Sequence, residues 1–341
     1  MSSLPDERRS QLLATKLRVL ATERWDPEGD LVPGAFPAGA TLLDAEAGRA
    51  WVLVEEGAER RLGAAMAVAA RGGARELHLV VDDAEAAGIL ARRAALFTDP
   101  PCVWRSEGRT LVAVEPAPPA TDPPPAPEAE LYRPVLVAAG LEPVVEGGQL
   151  LGEYLGLEVA RVVVDPDGSA RVEAGVGRFD REVGAMMFAD LGETDSVARA
   201  VDIVAHSRKV DARRHPLNHL VPERWLRAAI VARPSVVGAA ELRSVGSSLP
   251  RRTLGEEGVA TAVGVDVDGQ PIVVVCSTGV YLDLVPSAAD DRLAHAPDAR
   301  LVLAVPARDA VPVTTELATR LRLPADVHAI EGDWRLPGGL D

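Results

Sequence analysis

Seven prolines in the twelve residues from Pro116 to Pro127, PAPPATDPPPAP, create a stretch that neither a helix nor a central strand can absorb. Each proline lacks a backbone N–H and has a fixed φ, so the segment is expected to run as an extended, solvated spacer. It divides the chain into an N-terminal α/β domain over residues 1–115, a linker over 116–131 and a larger α/β region over 132–341. Within the last region a second repeat unit is expected at 259–330.

Before the linker, Leu and Val at helical spacing from Gln11 to Thr22 predict an opening helix. A Gly/Pro-rich passage then leads to a βαβαβ order: strand Trp51 to Val54, helix Arg60 to Arg71, strand Glu76 to Val81, helix Ala84 to Leu96 and strand Thr110 to Val114. After the linker, Tyr132 to Ala139 enters the next region, Gly148 to Leu155 is read as a short helix, and Leu157 to Val164 and Ala170 to Val176 form a hairpin. Helices are expected over Asp180 to Ala189, Thr194 to Ser207 and Glu223 to Val231. A second hairpin, Val259 to Val265 with Pro271 to Cys276, is followed by helix Leu284 to Leu293, strand Arg300 to Val305, helix Val313 to Leu321 and strand Asp326 to Ile330.

Three turns look alike. Asp44 and Gly48 precede WVLVEEG, Asp165 and Gly168 precede ARVEAGVG, and Asp266 and Gly269 precede PIVVVCSTG. Each places an Asp-Gly turn before an apolar strand with a small-residue exit, as expected of one α/β unit used at least twice with a less complete middle copy. The fold class is therefore α/β, with repeated mixed-sheet units and flanking helices.

The formal net charge of -15, from 36 Lys plus Arg against 51 Asp plus Glu, argues against a surface that coats nucleic acid or anionic lipid. Cys102 and Cys276 have no metal-binding or disulfide spacing around them, which fits reduced thiols. The N-terminus lacks the apolar core of a secretion signal, and the apolar run Leu62 to Ala70 is about half the length that spans a bilayer. A cytoplasmic protein without membrane attachment is expected.

Chemistry is sought first among the carboxylates Glu153, Glu158, Asp165 and Glu173. With Glu153 on a helix and Asp165 and Glu173 on a hairpin, Glu153, Asp165 and Glu173 are the candidate catalytic and metal-ligating set, with Mg2+ as the implied ion. This arrangement resembles the restriction-endonuclease-like fold, in which a helix glutamate, a strand aspartate and a Glu-x-Lys strand surround magnesium. The catalytic motif is not intact: Glu173 is followed by Ala174-Gly175, the C-terminal unit carries Val275-Cys276-Ser277, and Gly57 follows Glu55 and Glu56. His206, His215 and His219, followed by Glu223, form a weaker metal candidate, because Pro216 and Pro222 interrupt a common helical face. Arg208, Lys209, Arg213 and Arg214 concentrate positive charge and form the candidate site for an anion or a protein partner. Cys276 is read as a buried small hydrophobe and Met186-Met187-Phe188 as core packing.

The segments GLEVARVVVD, VGRFDREVGAMM and VVCSTGVYLDLVPSAADDRLAHAPDARLVLAVPARDA, within residues 150 to 310, are similar to an uncharacterised protein family of high-GC actinobacteria. That resemblance implies a bacterial cytoplasmic protein and carries no activity. The functional expectation is a noncatalytic scaffold or interaction module that binds a protein partner or itself, without a cofactor. The alternative is a divalent-metal-dependent phosphodiesterase or nuclease, with nucleic acid the lesser expectation as partner.

Overall fold

A computed structural model describes residues 6–177, 192–212, 215–336 and 339–340. The helix expected over Asp180 to Ala189 and the Met186-Met187-Phe188 packing lie outside these residues, as do Arg213 and Arg214. Strands of the described residues form three sheets, in two compact units. The first unit comprises 1–119 with 282–290 and 312–324; the second comprises 120–281, 291–311 and 325–341.

In the first unit the strands β1 (Leu31–Phe36), β2 (Gly39–Asp44), β3 (Arg49–Val54), β4 (Glu76–Val81), β5 (Cys102–Glu107) and β6 (Thr110–Ala113) lie side by side in chain order. β1 to β3 are an antiparallel meander, β3 to β5 are parallel through the helices Leu62–Arg71 and Ala84–Ala94, and β6 returns antiparallel. The third parallel strand is thus Cys102–Glu107, and the expected strand at Thr110 is its hairpin partner. β1 and β2 fall in the Gly/Pro-rich passage, where Pro33 and Gly34 hide the alternation. The opening helix, Asp6–Trp25, buries Leu13, Leu17, Leu20 and Ala21 against Leu42, Trp51 and Leu53, each large side chain contributing about 1.5–3 kcal/mol.

Beside this core, Trp25, Trp51 and Trp104 surround His78, with the Trp25 and His78 rings 4.4 Å apart. Trp104 Nε1–H donates to His78 Nδ1 at 3.1 Å, so the neutral ring carries its proton on Nε2, which lies 3.1 Å from a Glu76 carboxylate oxygen. Burial dominates over Glu76 and pushes the imidazole down to about 4 from its ordinary 6.5. Above pH 6.5 His78 is neutral in both folded and unfolded chains. Between pH 6.5 and 4 only the unfolded chain takes up the proton, so stability is lost as pH falls through that window, by about 2–3 kcal/mol. Urea midpoints measured from pH 7 to pH 4 should show this slope in wild type and its flattening in His78→Gln.

The second unit holds two sheets. β7 (Glu142–Glu146), β8 (Gln149–Tyr154), β9 (Leu157–Val164) and β10 (Ala170–Ala174) form an antiparallel meander backed by the helix Glu193–Ser207, which buries Val197, Ala200, Val201 and Val204. The expected short helix at Gly148 to Leu155 is therefore strand β8. Gly147 and Gly148, both at positive φ, turn it back onto β7 as a two-residue hairpin. The other sheet runs β11 (Ala239–Val245), β12 (Ala260–Asp266), β13 (Pro271–Cys276), β14 (Arg300–Pro306) and β15 (Asp326–Ile330). Its first three strands are antiparallel, and its last three are parallel through the helices Leu284–His295 and Pro312–Thr319.

The first and third sheets thus share one order: meander, helix, strand, helix, strand. The middle sheet does not share it. All three Asp-Gly turns close hairpins, with Gly48, Gly168 and Gly269 at φ of 65°, 85° and 77°. The second and third turns carry the same bonds, Asp165 N–H to Ser169 and Asp266 N–H to Gln270. A glycine at positive φ thus closes all three turns, the backbone bond pattern is common to two of them, and the βαβ topology occurs twice.

The proline-rich segment is tied down at its start and at its middle. Ala117 N–H donates to the Gly88 carbonyl and Arg92 Nη1 to that of Pro118; further on, Asp122 accepts from Gly148 N–H at 2.9 Å.

Candidate functional site

Among the described residues of the second unit, a cluster of charged side chains is buried. The helix Pro222–Ala232 carries Trp225, Leu226 and Ile230 on one face and Arg224 and Arg227 on the opposite one, and both faces are buried. Arg224 donates through Nη1 to Glu153 at 3.0 Å and through Nη2 to both Glu146 oxygens at 2.7 and 2.8 Å. Arg227 closes on the other Glu153 oxygen and on the Val245 carbonyl, and Arg251 pairs with Glu223. Three glutamates thus meet three arginines. Burial alone would raise the Glu146 carboxyl, but Arg224 outweighs it and holds that group below the ordinary range. Likewise Glu153 and Glu146 outweigh burial at Arg224 and raise its pKa. Gly156 lets the β8–β9 turn approach this helix, since a β-carbon there would lie 2.2 Å from the Arg224 carbonyl carbon. The void bounded by Glu146, Glu153, Arg224, Arg227 and Thr261 measures about 10 Å3, room for about one water.

The candidate carboxylates separate against this background. Glu153 is fully buried on strand β8 rather than on a helix, and is already saturated by two arginines. It lies opposite Glu158, and Asp165 is seven residues further along that strand, roughly 23 Å away at strand rise. Asp165 lies just past the far end of β9 and Glu173 on β10 opposite Arg161; both are exposed or half-buried, and one arginine, Arg171, pairs with both. Glu158 is held by Arg161 at 2.9 and 3.1 Å. The structure therefore does not bring Glu153, Asp165 and Glu173 together. Among the described residues no group of three or more His, Cys, Asp or Glu side chains is placed to hold a metal ion.

Of the basic stretch expected as an anion or partner site, Arg208 and Lys209 lie among the described residues. Arg208 is buried, donates to the carbonyls of Leu155, Leu217 and Leu220, and stacks over Trp225 at 4.7 Å. Burial lowers its pKa to about 10, and the guanidinium ties together three backbone carbonyls of separate turns. Lys209 is exposed. His206, His215 and His219 are exposed, and His215 Nδ1 accepts from Leu217 N–H at the start of the short turn Pro216–Asn218. Cys276 is fully buried in the sheet core, where burial pushes its thiol up to about 12 and keeps it protonated.

The first unit contains a second buried network. Asp290 accepts from Arg92 at 2.7 and 2.9 Å and from Arg93 at 2.9 Å, while Arg93 also reaches the Glu59 carbonyl at 2.8 Å. Asp283 accepts the Gly63 N–H at 2.6 Å, at the start of the helix Leu62–Arg71, and burial pushes its carboxyl up to about 6. At the exposed ends of β3 and β4, Arg9 pairs with Glu55 and Glu56, and Lys16 with Asp82. Lys16 and Ser106 hold Asp82 below the ordinary range against the effect of burial.

No protein-family model, curated protein or solved structure matches the chain. No helix among the described residues is long and apolar enough to cross a membrane.

Proposed function

We propose that this chain is a noncatalytic α/β interaction module in which carboxylates and arginines are structural. The observation that carries this reading is the Glu153–Arg224–Arg227 network: the one candidate carboxylate that is fully buried has both oxygens committed to arginines of its own unit. The shared order of the outer sheets, a helix, a three-strand meander, then helix and strand, favours descent from a restriction-endonuclease-like layout without its chemistry. Along β2 and β3, and along β12 and β13, no two facing positions both carry carboxylates; Asp44 faces Arg49, Gly39 faces Val54, and Ala260 faces Cys276. A metal-activated water needs converging oxygen ligands, and these positions provide none.

The test is incubation of the purified chain with plasmid, single-stranded DNA and RNA in Mg2+ or Mn2+. Intact substrates after long incubation are expected. Metal-dependent cleavage that disappears in Glu153→Gln would overturn the noncatalytic reading.

A further inference from the structure

We propose that a cleft between two strand edges of the second unit, β7 and β11, holds a short extended segment of a partner protein. The segment inserts one apolar side chain, flanked by an acidic residue for Arg243 and a basic residue for Glu142. This rests on the interaction reading above and names its partner.

β7 ends the antiparallel sheet and β11 ends the mixed sheet. One backbone bond, Gly246 N–H to the Val145 carbonyl, joins them. A cleft of about 290 Å3 is lined by Pro143, Val145, Val231, Leu242 and Val245, with Arg133, Glu142, Arg243 and Ser244 completing it. That volume is below the usual range for cofactors and drug-sized ligands, and suits one or two side chains. Two features of the wall point to an occupant. The Ser244 hydroxyl is buried without a hydrogen-bond partner, an arrangement that is unfavourable unless something completes it. Arg243 and Glu142 carry opposite charges, and neither has an ion-pair partner among the described residues, whereas Arg133 is engaged by Glu130 at 2.7 Å.

The edge chemistry sets the length of the guest. Glu146 and Gln149 flank the two-residue turn and face each other in the ladder, so Val145 and Pro143 direct their backbone groups to the open edge. Val145 has already committed its carbonyl, and Pro143 has no N–H. A long added strand is thereby blocked, and side chains must supply the specificity.

The experiment selects phage-displayed random dodecapeptides on the full-length chain, then measures synthetic copies by fluorescence anisotropy. Wild type, Arg243→Glu and Glu142→Lys are compared, with thermal melting as the control for folding at these surface positions. Enriched peptides are expected to carry an acidic and a basic residue around an apolar one. Arg243→Glu should weaken binding at least tenfold, and replacing the peptide's acid by lysine should restore it. Peptides that bind all three proteins equally would overturn the cleft while leaving an interaction module standing; failure to enrich any peptide would overturn the cleft as well. The noncatalytic reading fails separately, through the cleavage assay.

Discussion

Glu153→Ala is expected to cost the second unit about 3–5 kcal/mol, lowering its unfolding midpoint by roughly 10 °C. The physical reason is that the variant leaves the buried Arg227 without its ion pair and the buried Arg224 with Glu146 alone. Deleting one member of a buried charge set is far costlier than the net worth of the set, because the partners cannot return to water. Asp165→Ala is the contrast. Its side chain is exposed and its only described ion pair is with Arg171 at the surface, so a change within about 1 kcal/mol is expected. Paired urea titrations of the two variants separate a structural glutamate from a solvated aspartate; equal losses would contradict the assignment.

In the first unit Asp290→Ala is expected to be equally severe, about 3–5 kcal/mol, because one carboxylate neutralises two adjacent arginines there. Burial tends to raise Asp290, but the hydrogen bonds from Arg92 and the charge of Arg93 win and hold it below the ordinary carboxylate range. Removing it leaves Asp283, 3.7 Å from Arg93 and itself pushed up to about 6, as the nearest counter-charge. The loss should therefore deepen as pH falls through 6 and Asp283 takes up its proton. Asp290→Asn keeps the shape but not the charge; most of the loss should persist in it, as read by urea unfolding at pH 7.5 and 5.5.

Much of the fold was legible where local chemistry decides. Pro271 to Cys276 and Asp326 to Ile330 are strands at the expected boundaries, because β-branched runs bounded by turn residues have few alternatives. The Asp-Gly turns were legible for the same reason: only glycine takes the positive φ at no cost. Gly148 to Leu155 was misread because its adjacent leucines carry no clear period, and the hairpin that decides it depends on two glycines at the turn. The site was much less legible. Glu153 lies 71 and 74 positions from its two arginines, and no spacing rule connects residues that far apart. The sequence of the Pro222–Ala232 helix places Trp225, Leu226 and Ile230 on one face and Arg224 and Arg227 on the other, a pattern that reads as a half-exposed helix and gives no sign that the charged face is buried too. Arg208 was singled out for its charge, yet its role is set by three carbonyls that only the folded chain places around it.

The most direct test of structural rather than catalytic carboxylates is calorimetric titration of Mn2+ into the full-length chain and into Glu153→Gln at neutral pH. No saturable heat should be seen with either protein up to millimolar metal. A one-to-one binding curve in wild type that vanishes in a folded Glu153→Gln would contradict the assignment, and would return Glu153 to the role of a metal ligand.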